Sequence, residues 1–263
     1  MDILIVEGNP PAVLAAARAA GRRQGHETYR AALALHAPEA RFTTLFALAP
    51  ESGRSAVDPA AFDGIALAGS GVPWSAGQPE ARPYLDLLER LLAAGRPVIG
   101  SCWGLQAAAV VLGGRVEANP NGSEIGVARD IALTPAGRAH WGFAGMPDRF
   151  DQPTLHRDHV AMLPPGAVHL ARNAVCEVQA FAYREGGIDF LGLQPHPEFD
   201  LDHIRAIVAS RPPLPGTIRE LADFPDRPSP HVGDPLERTR VLGNWLAHVR
   251  RASERPDALV AAR

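Results

Sequence analysis

Pro97-Val98-Ile99-Gly100-Ser101-Cys102-Trp103-Gly104-Leu105-Gln106 reads as a strand, a tight turn and the start of a helix. Pro97 to Gly100 is a short apolar run of the kind that forms a buried strand, and Trp103 to Leu112 is helical in character. Glycines at 100 and 104 remove β-carbons where the strand and helix backbones would meet. The same alternation continues outward. Upstream, residues 3–6 predict a strand, and Asn9-Pro10-Pro11 supplies a cap and proline start for a helix over Ala12 to Ala20. A helical pattern over Tyr29 to Leu35, a strand over Arg41 to Leu48 and a strand over 62–68 follow, the last ending in Gly69-Ser70-Gly71. Between Gln78 and Gly95, Leu85, Leu88, Leu91 and Leu92 share one helical face, and Gly95 stops the helix.

Strands alternating with helices predict an α/β fold: a doubly wound, mostly parallel, flavodoxin-like sheet flanked by helices. Ligands in such sheets sit beyond the carboxyl ends of the strands. After about residue 115 short strands dominate, and Val178 to Tyr183 with Ile188 to Leu193 flank Glu185-Gly186-Gly187, a small antiparallel hairpin signal. The chain turns helical again over Leu201 to Ala209. The proline-rich connector Arg211-Pro212-Pro213-Leu214-Pro215-Gly216 leads to a last helix, marked by Asp234, Pro235 and Glu237. Its apolar face is Leu242, Trp245, Leu246 and Val249, and the final dozen residues look frayed. The expected division is a catalytic-type domain over 1–205 and a helical C-terminal extension over 206–263, packed on it or serving a partner or homodimer.

Composition excludes chemistries before any motif is weighed. All 26 cationic Lys+Arg residues are arginine. A P-loop, a pyridoxal phosphate enzyme, a Schiff-base aldolase and a protein kinase each need a lysine. Arginine stays charged at any working pH, so no cationic side chain can serve as a base. A formal charge of −3, with both signs interspersed, leaves no footprint for nucleic acid or an anionic membrane. The N-terminal segment lacks the basic flank and apolar run of a signal peptide, and no stretch approaches the ~18 apolar residues of a membrane span. Cys102 and Cys176 make neither a disulfide framework nor a four-ligand zinc site. A reduced, cytoplasmic protein is expected.

A cysteine between two glycines at a strand–helix junction is the geometry of a nucleophile elbow. A lone cysteine is usually a buried small hydrophobe, but this setting reverses the balance for Cys102. The helix N-terminus favours its thiolate. The Trp103 N–H would serve as an oxyanion donor, with a second from Gly69, Ser70 or Gly71. A base is found in Gln194-Pro195-His196-Pro197-Glu198. Each proline biases the preceding residue to an extended conformation. Residues two apart then share a face, so Glu198 can orient the His196 imidazole. Weaker features read blandly. His156, Asp158, His159, Asp202 and His203 match no zinc spacing and read as solvated loop residues. Cys176 reads as structural, and Arg22-Arg23 and Arg250-Arg251 as solvated charges.

These residues resemble a class I (triad-type) glutamine amidotransferase, in the subgroup similar to the glutaminase part of GMP synthase. The likeness runs over about 1–205 and includes Glu124-Ile125-Gly126-Val127, Leu133-Thr134, and His156-Arg157-Asp158-His159-Val160 before Leu163-Pro164. It implies Cys102 as nucleophile, His196 as general base and acid, and Glu198 as third member. It also implies a substrate pocket at Gln106, His156, Arg157 and Asp158, and no metal or organic cofactor. Ser101 stands where the family usually has an aliphatic residue, and Pro195 where it usually has an aromatic.

The resulting expectation is an enzyme that releases ammonia from glutamine through a glutamyl thioester. Residues 206–263 are too short for an ATP-dependent synthetase, so a separate synthase subunit would accept the ammonia. The alternatives are a stand-alone γ-glutamyl hydrolase or peptidase with the same triad, and a non-catalytic binding or regulatory protein on the same fold.

Overall fold

The structure, a computed structural model, describes residues 1–49, 57–209 and 229–254. Its strands are β1 (Asp2–Glu7), β2 (Arg41–Phe46), β3 (Gly64–Leu67), β4 (Pro97–Ser101), β5 (Arg115–Ala118), β6 (Glu124–Leu133), β7 (Arg149–His156), β8 (Asp158–Met162), β9 (Val168–Arg172), β10 (Ala180–Tyr183) and β11 (Asp189–Leu193). The longer helices are α1 (Pro11–Ala19), α2 (Gly25–Ala34), α3 (Arg82–Ala93), α4 (Trp103–Val111), α5 (Leu201–Ala209) and α6 (Arg240–Glu254).

Nine strands form one sheet in the order β2-β1-β3-β4-β11-β10-β9-β6-β7. Every pairing from β2 to β11 is parallel. Every pairing from β11 to β7 is antiparallel. The expected hairpin is present as β10–β11, with Gly186 (φ 59°) and Gly187 (φ 82°) turning the chain. It is the start of a longer antiparallel wing, and β5 with β8 makes a separate two-stranded sheet.

Alternation along the strands divides the core between the two faces of the sheet. Ile3, Ile5, Ile99 and Leu191 pack with Tyr29 and Leu33 of α2 and Trp245, Leu246 and Val249 of α6. Leu4, Val6, Ile65, Leu67 and Val98 pack with Leu88, Leu91 and Leu92 of α3 and Leu105 of α4.

Several boundaries differ from the sequence reading, three of them for a visible local reason. α2 begins a turn before Tyr29, because Gln24 and Glu27 close a capping box. The helix expected from Gln78 opens as a 3₁₀ turn over Pro79–Ala81 before α3 starts. The last helix is divided: Asp234 caps Pro235–Arg238 by accepting from Leu236 and Glu237, the chain turns at Thr239, and α6 follows. α6 lies so close to β3 that a β-carbon at Gly64 would come within 2.8 Å of Val249 Cγ2. The connector 211–216 and residues 255–263 lie outside the described residues. No helix among the described residues is long and apolar enough to cross a membrane.

Candidate functional site

Three adjacent parallel strands, β3, β4 and β11, end at one level. Leu67 pairs with Gly100, and Leu193 with Ser101. The Cys102 N–H donates to the Leu193 carbonyl at 2.7 Å, tying the turn after β4 to the end of β11. Chain segments remote in sequence therefore meet at the carboxyl edge of the sheet.

Cys102 sits at φ 49°, ψ −103°, between β4 and the first residue of α4. A non-glycine residue there is strained, and such strain collects at functional sites. The flanking glycines make the turn possible. A β-carbon at Gly100 would lie 2.8 Å from the Gly104 carbonyl carbon, and one at Gly104 would lie 2.8 Å from the Leu67 oxygen. The Cys102 thiol donates to the Leu155 carbonyl at 3.6 Å. The Trp103 N–H lies in the first turn of α4, where amides lack intrahelical partners.

His196 is buried, stacked on Phe199 with centroids 4.1 Å apart, and its Nδ1 lies 2.7 Å from Glu198 Oε1. A carboxylate beside Nδ1 requires that nitrogen to carry the hydrogen, which leaves Nε2 for the cysteine. Burial by itself would lower the imidazole pKa. The Glu198 charge, and after it the Cys102 sulfur, overcome this and push it up to about 10. The second carboxylate oxygen of Glu198 accepts from the Ser101 hydroxyl at 3.1 Å.

A cleft of about 310 Å³ opens beside Cys102. It is lined by Ile125 of β6, Leu155 and His156 of β7 and Arg157 and Asp158 leading into β8, and by Val72, Pro73 and Trp74 from the loop after β3 with Gln106 of α4. All four sequence-predicted pocket residues are thus brought together. Gln106 Nε2 donates to the Asp158 carbonyl at 2.9 Å and to Gln194 Oε1 at 3.1 Å. Arg157 pairs with the Asp158 carboxylate and donates to the Pro73 carbonyl, bridging the two walls. Behind them His156 Nε2 lies 2.9 Å from Glu124 Oε2, and Asn173 and Gln179 also donate to Glu124. Burial would raise the Glu124 carboxyl, but the His156 pairing and these donors hold it below its ordinary value.

The Gly69–Gly71 loop is arranged differently from the sequence reading. The Gly71 N–H donates to Asn9 Oδ1 at 2.7 Å, and the Ser70 hydroxyl donates to the Gly8 carbonyl at 2.9 Å, so Gly71 does not offer a free donor here. Gly69 is also closely packed: a β-carbon there would lie 2.7 Å from His196 Cε1. His156 and His203 are buried, not solvated. His203 packs edge-on to Phe199, and burial together with nearby Arg23 lowers its pKa to about 4. No cluster of three or more side chains able to hold a metal occurs among the described residues. Cys176 is wholly buried, and burial raises its thiol pKa far above the ordinary value.

The model of one family, glutamine amidotransferase class-I, matches residues 52–208. The chain belongs to that family. Among curated relatives, a γ-glutamyl-L-1-hydroxyisopropylamide hydrolase from Pseudomonas sp. is 35% identical over 141 residues, covering 52% of this chain and 48% of that protein. A glutamine-hydrolysing GMP synthase from Thermomicrobium roseum is 40% identical over 131 residues, covering 49% of this chain and 22% of that protein. The chain therefore spans about half, or less, of the length of these relatives. A solved glutamine amidotransferase from Thermotoga maritima superposes with TM-score 0.66 at 20% identity, covering 95% of this chain and 97% of that one, which supports the class-I fold alone.

Several residues at the site gave no signal in the sequence reading. Trp74 and Gln194 lie beside or inside the quoted motifs, where nothing in the pattern assigns them to the cleft or to Gln106. Asn9 was read as a helix cap, yet Pro10 holds that position and the Asn9 side chain bonds Glu7 and Gly71. Arg238, from beyond residue 205, is buried and donates to the Pro197 carbonyl at 3.2 Å.

Proposed function

We propose that this chain hydrolyses the side-chain amide of glutamine or of a γ-glutamyl amine, with Cys102 as nucleophile, His196 as base and acid, and Glu198 orienting the imidazole. The carrying observation is the Cys102 turn: a strained cysteine at a helix start, beside a buried histidine already paired with a carboxylate. His196 takes the Cys102 proton, and the thiolate attacks the amide carbon to form a tetrahedral oxyanion held by the Trp103 N–H. His196 holds that proton beside the sulfur through the attack and delivers it to the departing nitrogen as the C–N bond breaks. Water, deprotonated by His196, attacks the thioester carbonyl, and collapse frees glutamate and the thiol.

Two leaving groups fit this scheme. Ammonia release is supported by the glutamine-hydrolysing GMP synthase relative, and a separate synthase subunit would accept that ammonia. Hydrolysis of a γ-glutamyl alkylamide is supported by the hydrolase relative and by the apolar Val72-Pro73-Trp74 wall, which can cover an amine substituent. A substrate panel of glutamine, γ-glutamylethylamide and a γ-glutamyl dipeptide, with asparagine as control, tests the reading and ranks the two versions. Release from at least one γ-glutamyl compound and none from asparagine is expected. No release from any, together with no labelling of Cys102 by a glutamine-like chloroketone, would sink the proposal.

A further inference from the structure

The Glu198 carboxylate is gripped from behind as well as from the front. Ser101 is wholly buried, immediately before Cys102, and its hydroxyl donates to Glu198 Oε2. The Tyr29 hydroxyl, from α2 on the face of the sheet shared with α6, is hydrogen-bonded to Ser101 Oγ. A serine hydroxyl has one proton. Since Ser101 gives it to the carboxylate, Tyr29 is the donor of the second bond. The donors therefore run in one direction, from Tyr29 to Ser101 to Glu198, while His196 Nδ1–H donates to the other carboxylate oxygen.

We infer that Tyr29 and Ser101 are positioning residues that extend the triad to five members, fixing the Glu198 carboxylate in the plane His196 requires. The inference rests on the function proposed above. Both hydroxyls are shielded from solvent, so their protons are committed within the protein, and a buried network of this kind is costly unless complete. Burial and then the negative Glu198 raise the Tyr29 pKa far above its ordinary value, so Tyr29 keeps the proton it donates.

Other groups facing this carboxylate come from the neighbouring elements. Arg238 reaches in from the C-terminal segment within electrostatic range of Glu198, although burial lowers its own pKa. Cys102 lies on the far side of His196, His203 acts on His196 from α5, and Asp200 is neutralised by Arg23. Ser101 is the donor these leave to the second oxygen. A Glu198 carboxylate free to turn away from Nδ1 would support the His196 imidazolium, and with it the Cys102 thiolate, less well.

The test is the pH profile of Cys102 alkylation by iodoacetamide in the intact chain, for wild type, Ser101→Ala, Tyr29→Phe and the double variant. Cys176 is buried and its thiol pKa is raised, so labelling reads Cys102; Cys102→Ala supplies the blank. Ser101→Ala is expected to move the acid limb up by about one pH unit and to lower kcat by about 10-fold with little change in KM. Tyr29→Phe, which keeps the ring, moves the limb less, and the double variant matches Ser101→Ala because both act through one bond. Acid limbs superimposable on wild type in both single variants would overturn the inference, even if their rates or melting temperatures fell. Wild-type labelling no faster than the blank would instead remove the proposed function, and this inference with it.

Discussion

At Gly69 the requirement is for space. An added methyl would meet the edge of the His196 ring, Cε1 at 2.7 Å, and the ring is held in its plane by the Nδ1–Glu198 hydrogen bond. Gly69→Ala should therefore turn the imidazole off the cysteine and lower kcat by ~100-fold, the usual cost of an ångström-scale misplacement. Steady-state kinetics beside a melting curve checks this; an unchanged kcat would show that the ring position is not limiting. The His196–Glu198 pair also has a pH signature. A pKa of about 10, against an ordinary value of 6.5, means the stabilising charge is fully present below the ordinary value and is lost as pH rises through about 10. Melting temperature followed from pH 7 to 11 should fall more steeply in wild type than in His196→Gln. At this scale much was legible in the sequence. Glycines on both sides of Cys102 and prolines on both sides of His196 act locally, and local constraints can be read along a chain. Tyr29 and Ser101 are brought together only by the packing of α2 on the sheet, which no spacing reveals.

Among the elements, the C-terminal segment is bound to the site most directly. Trp245 is wholly buried against the sheet, so Trp245→Ala should cost ~3–5 kcal/mol, the range for large aromatic truncations, measured by denaturant unfolding. Arg238 holds the loop between His196 and Glu198 through the Pro197 carbonyl, and Gln152 of β7 donates to the Arg238 carbonyl in turn. Arg238→Met keeps much of the apolar stem and removes the donor. It should reduce kcat with a smaller loss of stability than Trp245→Ala, and equal kcat in the two proteins would show that the loop holds itself. The amphipathic face of α6 was plain in the sequence, from Leu242, Trp245, Leu246 and Val249. Its target was not, since that depends on the bare Gly64 at the start of β3.

Across the whole molecule, the parallel half of the sheet supplies the candidate nucleophile, base and loop, and the antiparallel wing supplies one wall of the cleft. Alternating strands and helices announced the first half. The second was less legible because β6 and β9 pair across intervening segments, and only the β10–β11 hairpin carries a local turn signal. The wing is joined to the cleft through Glu124, whose depressed pKa contributes stability present above its ordinary value and lost as pH falls through the lower folded value. Glu124→Gln should lose that acid-side dependence, visible as a flatter melting profile below pH 5. These two halves meet at Cys102, the candidate nucleophile. Acid-quenched turnover followed by peptide mass spectrometry tests that role directly. A γ-glutamyl group is expected on the peptide containing Cys102 and absent from Cys102→Ala; turnover continuing in that variant, with the Cys102 peptide of wild type unmodified throughout, would exclude Cys102 as the nucleophile.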